Sequence, residues 1–112
     1  MAKIKLAPRT LAVVDVLAAG TAVPLSATPL ETENILIQAK RTNTGNIFVG
    51  DSSVDATNGV SIGPGEFVSL SADSEEDDAS YAVIDLMDIY IDAANNNDGV
   101  VLISLNEVST IY

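Results

Sequence analysis

The chain has 112 residues, a formal net charge of −11 at pH 7, and neither Cys nor His. The length fits one domain, and the missing Cys and His exclude disulfides, Cys nucleophiles, serine triads and His-ligated zinc. The negative charge argues against partners that are themselves anionic, namely nucleic acids and acidic membranes. We therefore expect a protein without enzyme activity, cofactor or metal, and with neither nucleic acid nor membrane as a partner.

The first half of the chain alternates short apolar runs with turn residues, which is typical of β-strands. Residues 11–17 are the first strong run; a helix is the competing interpretation, but the three valines favour a strand. Residues 23–25 and 28–30 each contain Pro, which cannot donate to a β-ladder, so we expect edge or connecting segments there. Residues 34–39 predict a strand with alternating faces.

Turn signals divide the middle of the chain. Residues 42–46 read Thr-Asn-Thr-Gly-Asn and separate the strand at 34–39 from a short strand at 47–49, which predicts a hairpin. The Gly-Pro-Gly sequence at 63–65 is the strongest turn signal in the chain. A further strand is expected directly after it, at 66–70.

The last third of the chain begins with an acidic run at 73–78, which predicts a solvated loop. Residues 81–86 and 88–93 predict two strands or one bent strand. The Asn-Asn-Asn-Asp-Gly sequence at 95–99 predicts a hairpin turn. It leads into the apolar run 100–105, which we expect at the centre of a sheet.

These segments amount to about seven to nine short strands, spaced at roughly 8–12 residues. This number and spacing are typical of a sandwich or barrel. The sequence therefore predicts an all-β, single-domain antiparallel protein that is either a sandwich or a barrel.

Two acidic segments could in principle bind Ca²⁺, which prefers oxygen ligands. The run at 73–78 holds five carboxylates, but neighbouring carboxylates on a flexible loop lack the rigid geometry that a metal needs. Aligning 95–99 on a calcium loop places Ala94 and Leu105 at ligand positions, and neither can bind the ion. A solvated loop and a turn are the favoured interpretations.

Asp85, Asp88 and Asp92 could be proposed as paired catalytic acids. Strand alternation offers a simpler account, because Asp88, Tyr90 and Asp92 share one face while apolar residues occupy the other. We interpret that shared face as facing solvent.

Basic residues concentrate at the start of the chain, where three of the five are found within the first ten positions. We expect residues 1–10 to form an N-terminal arm ahead of the β-domain, a sandwich or a barrel, at 11–112. The arm is either a solubilising chain end or a segment that docks on an acidic partner surface or an exposed strand edge. A signal peptide is a weaker alternative, because Asp15 interrupts the apolar stretch. The candidate partner-binding residues are Lys3, Ile4, Lys5, Leu6 and Arg9.

Several short motifs follow one another from about residue 20 to residue 105. They are Gly-Thr-Ala-Val-Pro-Leu-Ser at 20–26, Asn-Ile-Leu-Ile-Gln-Ala at 34–39, Asn-Thr-Gly-Asn-Ile-Phe-Val-Gly at 43–50, Asn-Gly at 58–59, Gly-Pro-Gly-Glu at 63–66, Asp-Ile-Tyr-Ile-Asp-Ala at 88–93 and Asp-Gly-Val-Val-Leu-Ile at 98–103. Their order resembles the small head decoration, or cement, proteins of tailed bacteriophages. Similar modules occur in other phage structural proteins.

The resemblance implies a β-sandwich, often jelly-roll-like, on the outer surface of the virion head. It implies a structural capsid protein that binds the major capsid protein and stabilises the expanded head, usually as a homodimer or homotrimer. The family has no catalytic residues to transfer to this chain.

A phage fibre or tail module for adhesion or receptor binding is the alternative from another class. Lectin-like sites usually present exposed aromatic side chains, and this chain has five aromatic residues, at least three of them within predicted strands. An enzyme that relies on carboxylates alone is a third and more remote hypothesis, because no acid with a partnered base can be identified from the pattern.

Overall fold

The computed structural model describes residues 3–72 and 82–111, with side chains described within 7–72 and 82–104. These residues form antiparallel β-strands and one 3-10 turn at Leu86–Asp88, which confirms the predicted all-β, single-domain antiparallel fold. The strands are β1 (Lys3–Val16), β2 (Val23–Pro24), β3 (Glu31–Thr32), β4 (Asn34–Ala39), β5 (Ile47–Gly50), β6 (Val60–Ile62), β7 (Phe67–Ser71), β8 (Ile84–Asp85), β9 (Tyr90–Ala93) and β10 (Asp98–Ile111).

Two four-stranded sheets carry most of the structure. The first sheet has the order β1-β10-β4-β7 and the second has the order β2-β9-β5-β6, while β3 and β8 form a small third sheet. The strand pairs are nested along the chain, because β1 pairs with β10, β2 with β9, β3 with β8, β4 with β7, and β5 with β6. The chain therefore folds like a long hairpin whose closed end is the connection between β5 and β6.

The hydrophobic core lies between the two large sheets. It draws alternate residues from β4 and β10 on one side and from β5 and β9 on the other, as the two-residue period of a strand requires. Leu86 of the 3-10 turn adds one fully buried side chain. The remaining core members are Val16, Leu25, Ile35, Ile37, Ala39, Ile47, Val49, Ile62, Ile91, Ala93, Val100 and Leu102.

Both predicted hairpins are wrong, although the predicted turns exist. β4 belongs to the first sheet and β5 to the second, so residues 40–46 cross from one sheet to the other. The same is true of residues 94–97, which connect β9 to β10. Turn residues report that the chain reverses, but they carry no information about which strand the returning segment pairs with.

Other predicted strands are found close to their expected places. β1 includes residues 11–16, so the strand interpretation is confirmed over the helix there. β2 ends at Pro24 and is an edge strand, as its proline predicted. Residues 28–30 connect strands, and β10 lies in the interior of its sheet between β1 and β4. The jelly-roll-like strand arrangement stays a prediction.

The region of 81–93 departs from the predicted pair of strands. β8 covers two residues and is followed at once by the 3-10 turn, so the strand expected over 81–86 is mostly absent from the described part of that range. Asp85 explains the change, because its side chain accepts a hydrogen bond from the Met87 N–H and so caps the turn. Residue 81 and the acidic run at 73–78 lie outside the described residues.

β1 and β10 are each 14 residues long, far longer than the other strands. At ~3.3 Å per residue, such a strand extends about 46 Å, which is close to the 49 Å long axis of the molecule. β4 pairs with β10 only as far as Ile103. Beyond that point, residues 3–9 of β1 and 104–111 of β10 pair with each other, and we call this two-stranded segment the terminal ribbon.

Candidate binding surfaces

The five predicted partner-binding residues all lie on β1, within the terminal ribbon. In the register of the ribbon, Lys3 pairs with Ile111, Lys5 with Ser109 and Arg9 with Ser104. β1 runs without a break through residues 3–16. The predicted boundary between the N-terminal arm and the domain, at residues 10 and 11, therefore falls inside this strand. Ile4 and Leu6 occupy the intervening positions, and Arg9 is exposed.

Charge is distributed unevenly between the terminal ribbon and the rest of the chain. The ribbon contains three basic residues and one acidic residue, Glu107, whereas the other fifteen acidic residues lie elsewhere. A cationic segment attached to an anionic body favours contact with a partner surface that is itself acidic. The same charge asymmetry, visible in the sequence, makes these residues the candidate partner-binding residues.

β1 is the edge strand of the first sheet, and its free edge is protected against uncontrolled pairing. Pro8 lacks an N–H and the strand carries two register shifts, one between Lys5 and Leu6 and one between Thr10 and Ala12. Proline, positive charge and irregular pairing are the features by which natural proteins prevent edge-to-edge aggregation. We infer that this edge is suited to a surface contact through side chains rather than to the addition of another strand.

The face of the first sheet that points away from the core is largely apolar, and we call it the outer face. Eight of its residues lie opposite one another on neighbouring strands in two rows, and the ion pair of Lys40 and Asp15 lies on the same face next to the first row. Phe67 and Val13 are 60% and 55% exposed, although both are apolar. The first row is Val13, Val101, Gln38 and Phe67, and the second is Thr10, Ile103, Leu36 and Ser69.

A mostly apolar cavity of about 280 Å³ opens where β10 separates from β4. Leu36, Ser69 and Ile103, which form part of the second row of the outer face, line this cavity. The remaining lining residues are Asn34, Ile35, Leu70, Ser71 and Ser104. Phe67 is not among the lining residues and lies two residues before Ser69 on β7.

Buried polar side chains fix the opposite end of the sandwich, where 40–46 and 94–97 cross between the sheets. The Asn43 side chain donates to the Gly99 carbonyl at 2.8 Å and accepts from the Gly99 N–H at 3.0 Å. The buried carboxylate of Asp98 accepts from the backbone N–H groups of Thr44 and Gly45 at 3.1 and 2.9 Å. These bonds satisfy buried polar groups and hold the crossing segment 40–46 against the start of β10.

The prediction that Asp92 faces solvent is wrong. Its side chain is 1% exposed and lies opposite Phe48 of β5, whereas Asp88 is exposed as expected. One carboxylate oxygen accepts from the N–H groups of Gly20 at 2.9 Å and Ala93 at 2.8 Å. The segment 17–22 therefore lies over the second sheet at Asp92, and strand alternation could not predict a loop that covers the sheet from outside.

Asp85, another of the acidic candidates, and two aspartates of the loop between β5 and β6 also have structural partners. Asp85 accepts from the backbone N–H groups of Leu30 and Met87 at 3.0 and 2.9 Å, which holds β3 near the 3-10 turn. Hydrogen bonds from the hydroxyl and backbone N–H of Ser53 lower the pKa of Asp51. Thr57 lowers the pKa of Asp55 in the same way. Both aspartates organise the loop between β5 and β6.

No group of three or more acidic, Cys or His side chains that could hold a metal ion occurs among the described residues. In the same part of the chain, no helix has the length and apolar character needed to cross a membrane.

Sequence reasoning missed the outer face with its cavity, and also the buried carboxylates of Asp92 and Asp98. The apolar alternation of β4 and β7 was visible, but which of its two faces would be covered depends on the packing of the second sheet. Asp98 had a usable signal, because Asp-Gly at the start of an apolar strand is a turn sequence whose carboxylate often binds nearby N–H groups. Asp92 had no comparable local signal.

Comparison of the chain with family models, with curated proteins and with solved structures gives no match. The interpretation of these surfaces therefore rests on their geometry and charge and on the resemblance of the sequence motifs.

Proposed function

We propose that this chain is a structural virion protein of a tailed bacteriophage, a capsid decoration protein that binds the major capsid protein on the outside of the head. The observation that carries the proposal is the terminal ribbon, which holds three of the five basic residues and extends a strand beyond the part of the sheet that β4 covers. An extended cationic segment on an acidic body suits an element that reaches across a subunit boundary on an acidic surface.

The strand arrangement gives further support to the jelly-roll fold that the resemblance implies. The first strand pairs with the last and the second with the ninth, and the nesting continues to β5 and β6. Double-sheet jelly rolls with nested pairing occur in viral capsid and lectin domains. Because one fold can serve many functions, this observation supports the class of the protein but does not select its partner.

The physical mechanism in this proposal is stapling of the expanded shell. A protein that binds the assembled lattice but not free subunits stabilises the lattice by mass action. If each copy contacts two neighbouring capsid subunits, the second contact is intramolecular and benefits from a high effective concentration. The acidic body then faces solvent, where its charge keeps decorated particles from associating. The protein would form homodimers or homotrimers on the shell.

Co-sedimentation of the purified protein with empty, expanded capsids of its phage tests this proposal. We expect saturable binding at a fixed ratio to the major capsid protein, and much weaker binding to unexpanded shells. Failure to bind expanded capsids, together with saturable binding to host cells or their glycans, would instead support an adhesion or receptor-binding module. Among the described residues, Phe67 is the exposed aromatic side chain that such a module would use first.

A further inference from the structure

The outer strands of the two large sheets differ in how their free edges are protected. β1 carries Pro8 and two register shifts, β2 has two residues including Pro24, and β6 has three residues. β7 pairs with β4 over five residues without a register shift, and its sequence Phe-Val-Ser-Leu-Ser contains neither Pro nor a charge. Natural proteins shorten, bend or charge the edges that must stay unpaired. Among the described residues, β7 is therefore the outer strand that lacks such protection.

The free edge of β7 presents the backbone groups of every second residue. At the two ends of the β4–β7 pair, the Ala39 N–H donates to the Glu66 carbonyl at 2.9 Å and the Ala72 N–H donates to the Glu33 carbonyl at 2.8 Å. Because bonded pairs alternate along an antiparallel ladder, the second and fourth residues of β7 face β4, and the first, third and fifth face away from it. An added strand would form on the order of six backbone hydrogen bonds with these three residues.

The side chains along this edge suit an added strand with apolar residues. Phe67, Ser69 and Ser71 are all exposed and follow one another on the outer face. Phe67 offers an apolar neighbour, whereas the two serines are small and line the mostly apolar cavity together with Leu36 and Ile103. An added strand would lie about 4.8 Å from β7, so a large apolar side chain opposite Ser69 can contact the cavity.

Charge indicates what kind of strand fits the edge. Outside the terminal ribbon the chain has fifteen acidic residues and two basic residues. Glu33 is exposed at the end of β7 that follows Ser71, while at the other end Arg41 lies near Gly65 and offsets the charge of the exposed Glu66. The negative potential therefore favours a segment that carries a basic residue at the Glu33 end, and it disfavours another acidic molecule.

We propose that the free edge of β7 binds an extended segment of a partner protein as an added β-strand. The segment is apolar in its centre and basic at the end that lies near Glu33. Backbone hydrogen bonds supply affinity in this mode of recognition, and the alternate side chains supply specificity. The site lies at the edge of the first sheet opposite to β1, so the inference does not depend on the capsid role.

The synthetic peptide Lys-Val-Thr-Leu-Thr-Val-Lys is the probe for this site. Its sequence reads the same in both directions, so either orientation places a Lys near Glu33, and its three apolar residues share one strand face. NMR titration of the isotope-labelled protein should show saturable binding with a Kd below about 1 mM. Amide hydrogen exchange should slow at the first, third and fifth residues of β7, while the second and fourth are protected with or without the peptide.

Ser69→Pro tests the edge directly, because it removes an N–H that points away from β4 and leaves the bonds to β4 in place. We expect it to weaken peptide binding by about tenfold or more. Ser61→Pro is the matched control on the edge strand β6 of the other sheet. Ser61 is exposed and lies opposite Phe48, whose backbone faces β9, so its N–H also points to a free edge. The control should bind like wild type, and equal binding by Ser69→Pro would overturn the proposal.

Three measurements on the wild-type protein decide the question even if Ser69→Pro folds poorly. At low salt the peptide Glu-Val-Thr-Leu-Thr-Val-Glu should bind about tenfold more weakly than the Lys peptide, and Lys-Val-Thr-Pro-Thr-Val-Lys should not bind. Equal binding of the acidic and basic peptides, or no binding of the Lys peptide up to about 1 mM, overturns the proposal. Protection of the three outward amides without peptide also overturns it. Such protection means that a second copy covers the edge if it is lost on dilution, and that this chain covers its own edge if it is not.

Discussion

Asn43 and Gly99 exchange two hydrogen bonds across the end of the sandwich, where the chain crosses between the sheets. The Asn43 amide donates to the Gly99 carbonyl and the Gly99 N–H donates back to the amide oxygen, at 2.8 and 3.0 Å. Both groups are buried, so neither can exchange its partner for water. The Asn43 side-chain amide therefore forms the same pair of hydrogen bonds with Gly99 that the backbone of a neighbouring strand would form.

Replacement of Asn43 by Ala should destabilise the protein by about 2–3 kcal/mol, because it leaves a buried N–H and weakens the satisfaction of a buried carbonyl. Urea unfolding followed by circular dichroism measures the change. Asn95→Ala is the matched control, since Asn95 is exposed at the neighbouring crossing segment. We expect it to cost less than about 1 kcal/mol. Equal losses of unfolding free energy in the two variants would show that the two Asn43–Gly99 hydrogen bonds do not stabilise the protein more than the exposed Asn95 side chain does.

Gly99→Ala should also be poorly tolerated, for a steric reason. A Cβ at this position would meet the Asp15 carboxylate, the Val14 carbonyl and, at 2.9 Å, the Asp15 Cα of the paired strand β1. Because two of these atoms belong to the backbone, β1 and β10 must separate locally, and we expect a loss of about 2–3 kcal/mol. Gly20→Ala provides the comparison. Its φ of +91° costs about 1–2 kcal/mol, but its Cβ would meet no atom within 4 Å. A smaller loss at Gly99 than at Gly20 would contradict the register of β1 and β10.

The Asp92 carboxylate should hold the segment 17–22 against the second sheet. Asp92→Ala removes the acceptor of the Gly20 and Ala93 N–H groups, so we expect a loss of about 1–3 kcal/mol. Amide hydrogen exchange adds a local readout, because the protection of the Gly20 N–H should fall. Asp88→Ala, at an exposed position of the same sequence motif, should change neither quantity. Unchanged Gly20 exchange in Asp92→Ala would disprove the contact.

The contrast between Asp88 and Asp92 shows where sequence reasoning reached its limit. Alternation placed both residues on one strand face, but Asp88 belongs to the 3-10 turn and only Asp92 lies on β9. Whether the face is exposed depends on residues 17–22, which are about 70 positions away and carry no sequence signal for this contact. The wrong hairpins have a similar origin, since the choice of sheet for β5 and β10 is made by long-range packing.

Other parts of the fold were predictable from local patterns. Asn34–Ala39 alternates buried and half-buried residues as expected, and Pro24 marks an edge strand. The basic residues of the candidate site were identified from charge alone. Their incorporation into a 14-residue strand was not predictable, because the pairing partner of residues 3–9 is found about 100 positions later in the chain.

Asp51 and Asp55 predict a small acid sensitivity of the loop between β5 and β6. The hydroxyl and backbone N–H of Ser53 and of Thr57 lower the pKa of these carboxyls in the folded state. A carboxyl with a lowered folded pKa stabilises the protein above its unfolded pKa, and this contribution is lost as the pH falls through the folded pKa. NMR titration should find the Asp51 pKa below its ordinary value, and Ser53→Ala should raise it. No change in Ser53→Ala would exclude the Ser53 hydroxyl as a cause of the lowered pKa.

The central claim is that the basic start of β1 binds an acidic partner surface on the phage capsid. The most direct measurement compares wild type with the triple variant Lys3→Gln, Lys5→Gln and Arg9→Gln in binding to expanded capsids at several salt concentrations. Arg41→Gln is the control, because Arg41 is an exposed cation outside the terminal ribbon. We predict that the triple variant folds normally, binds at least about tenfold more weakly and loses most of the salt dependence, whereas the control binds like wild type. Equal binding and equal salt dependence of wild type and triple variant would contradict the claim.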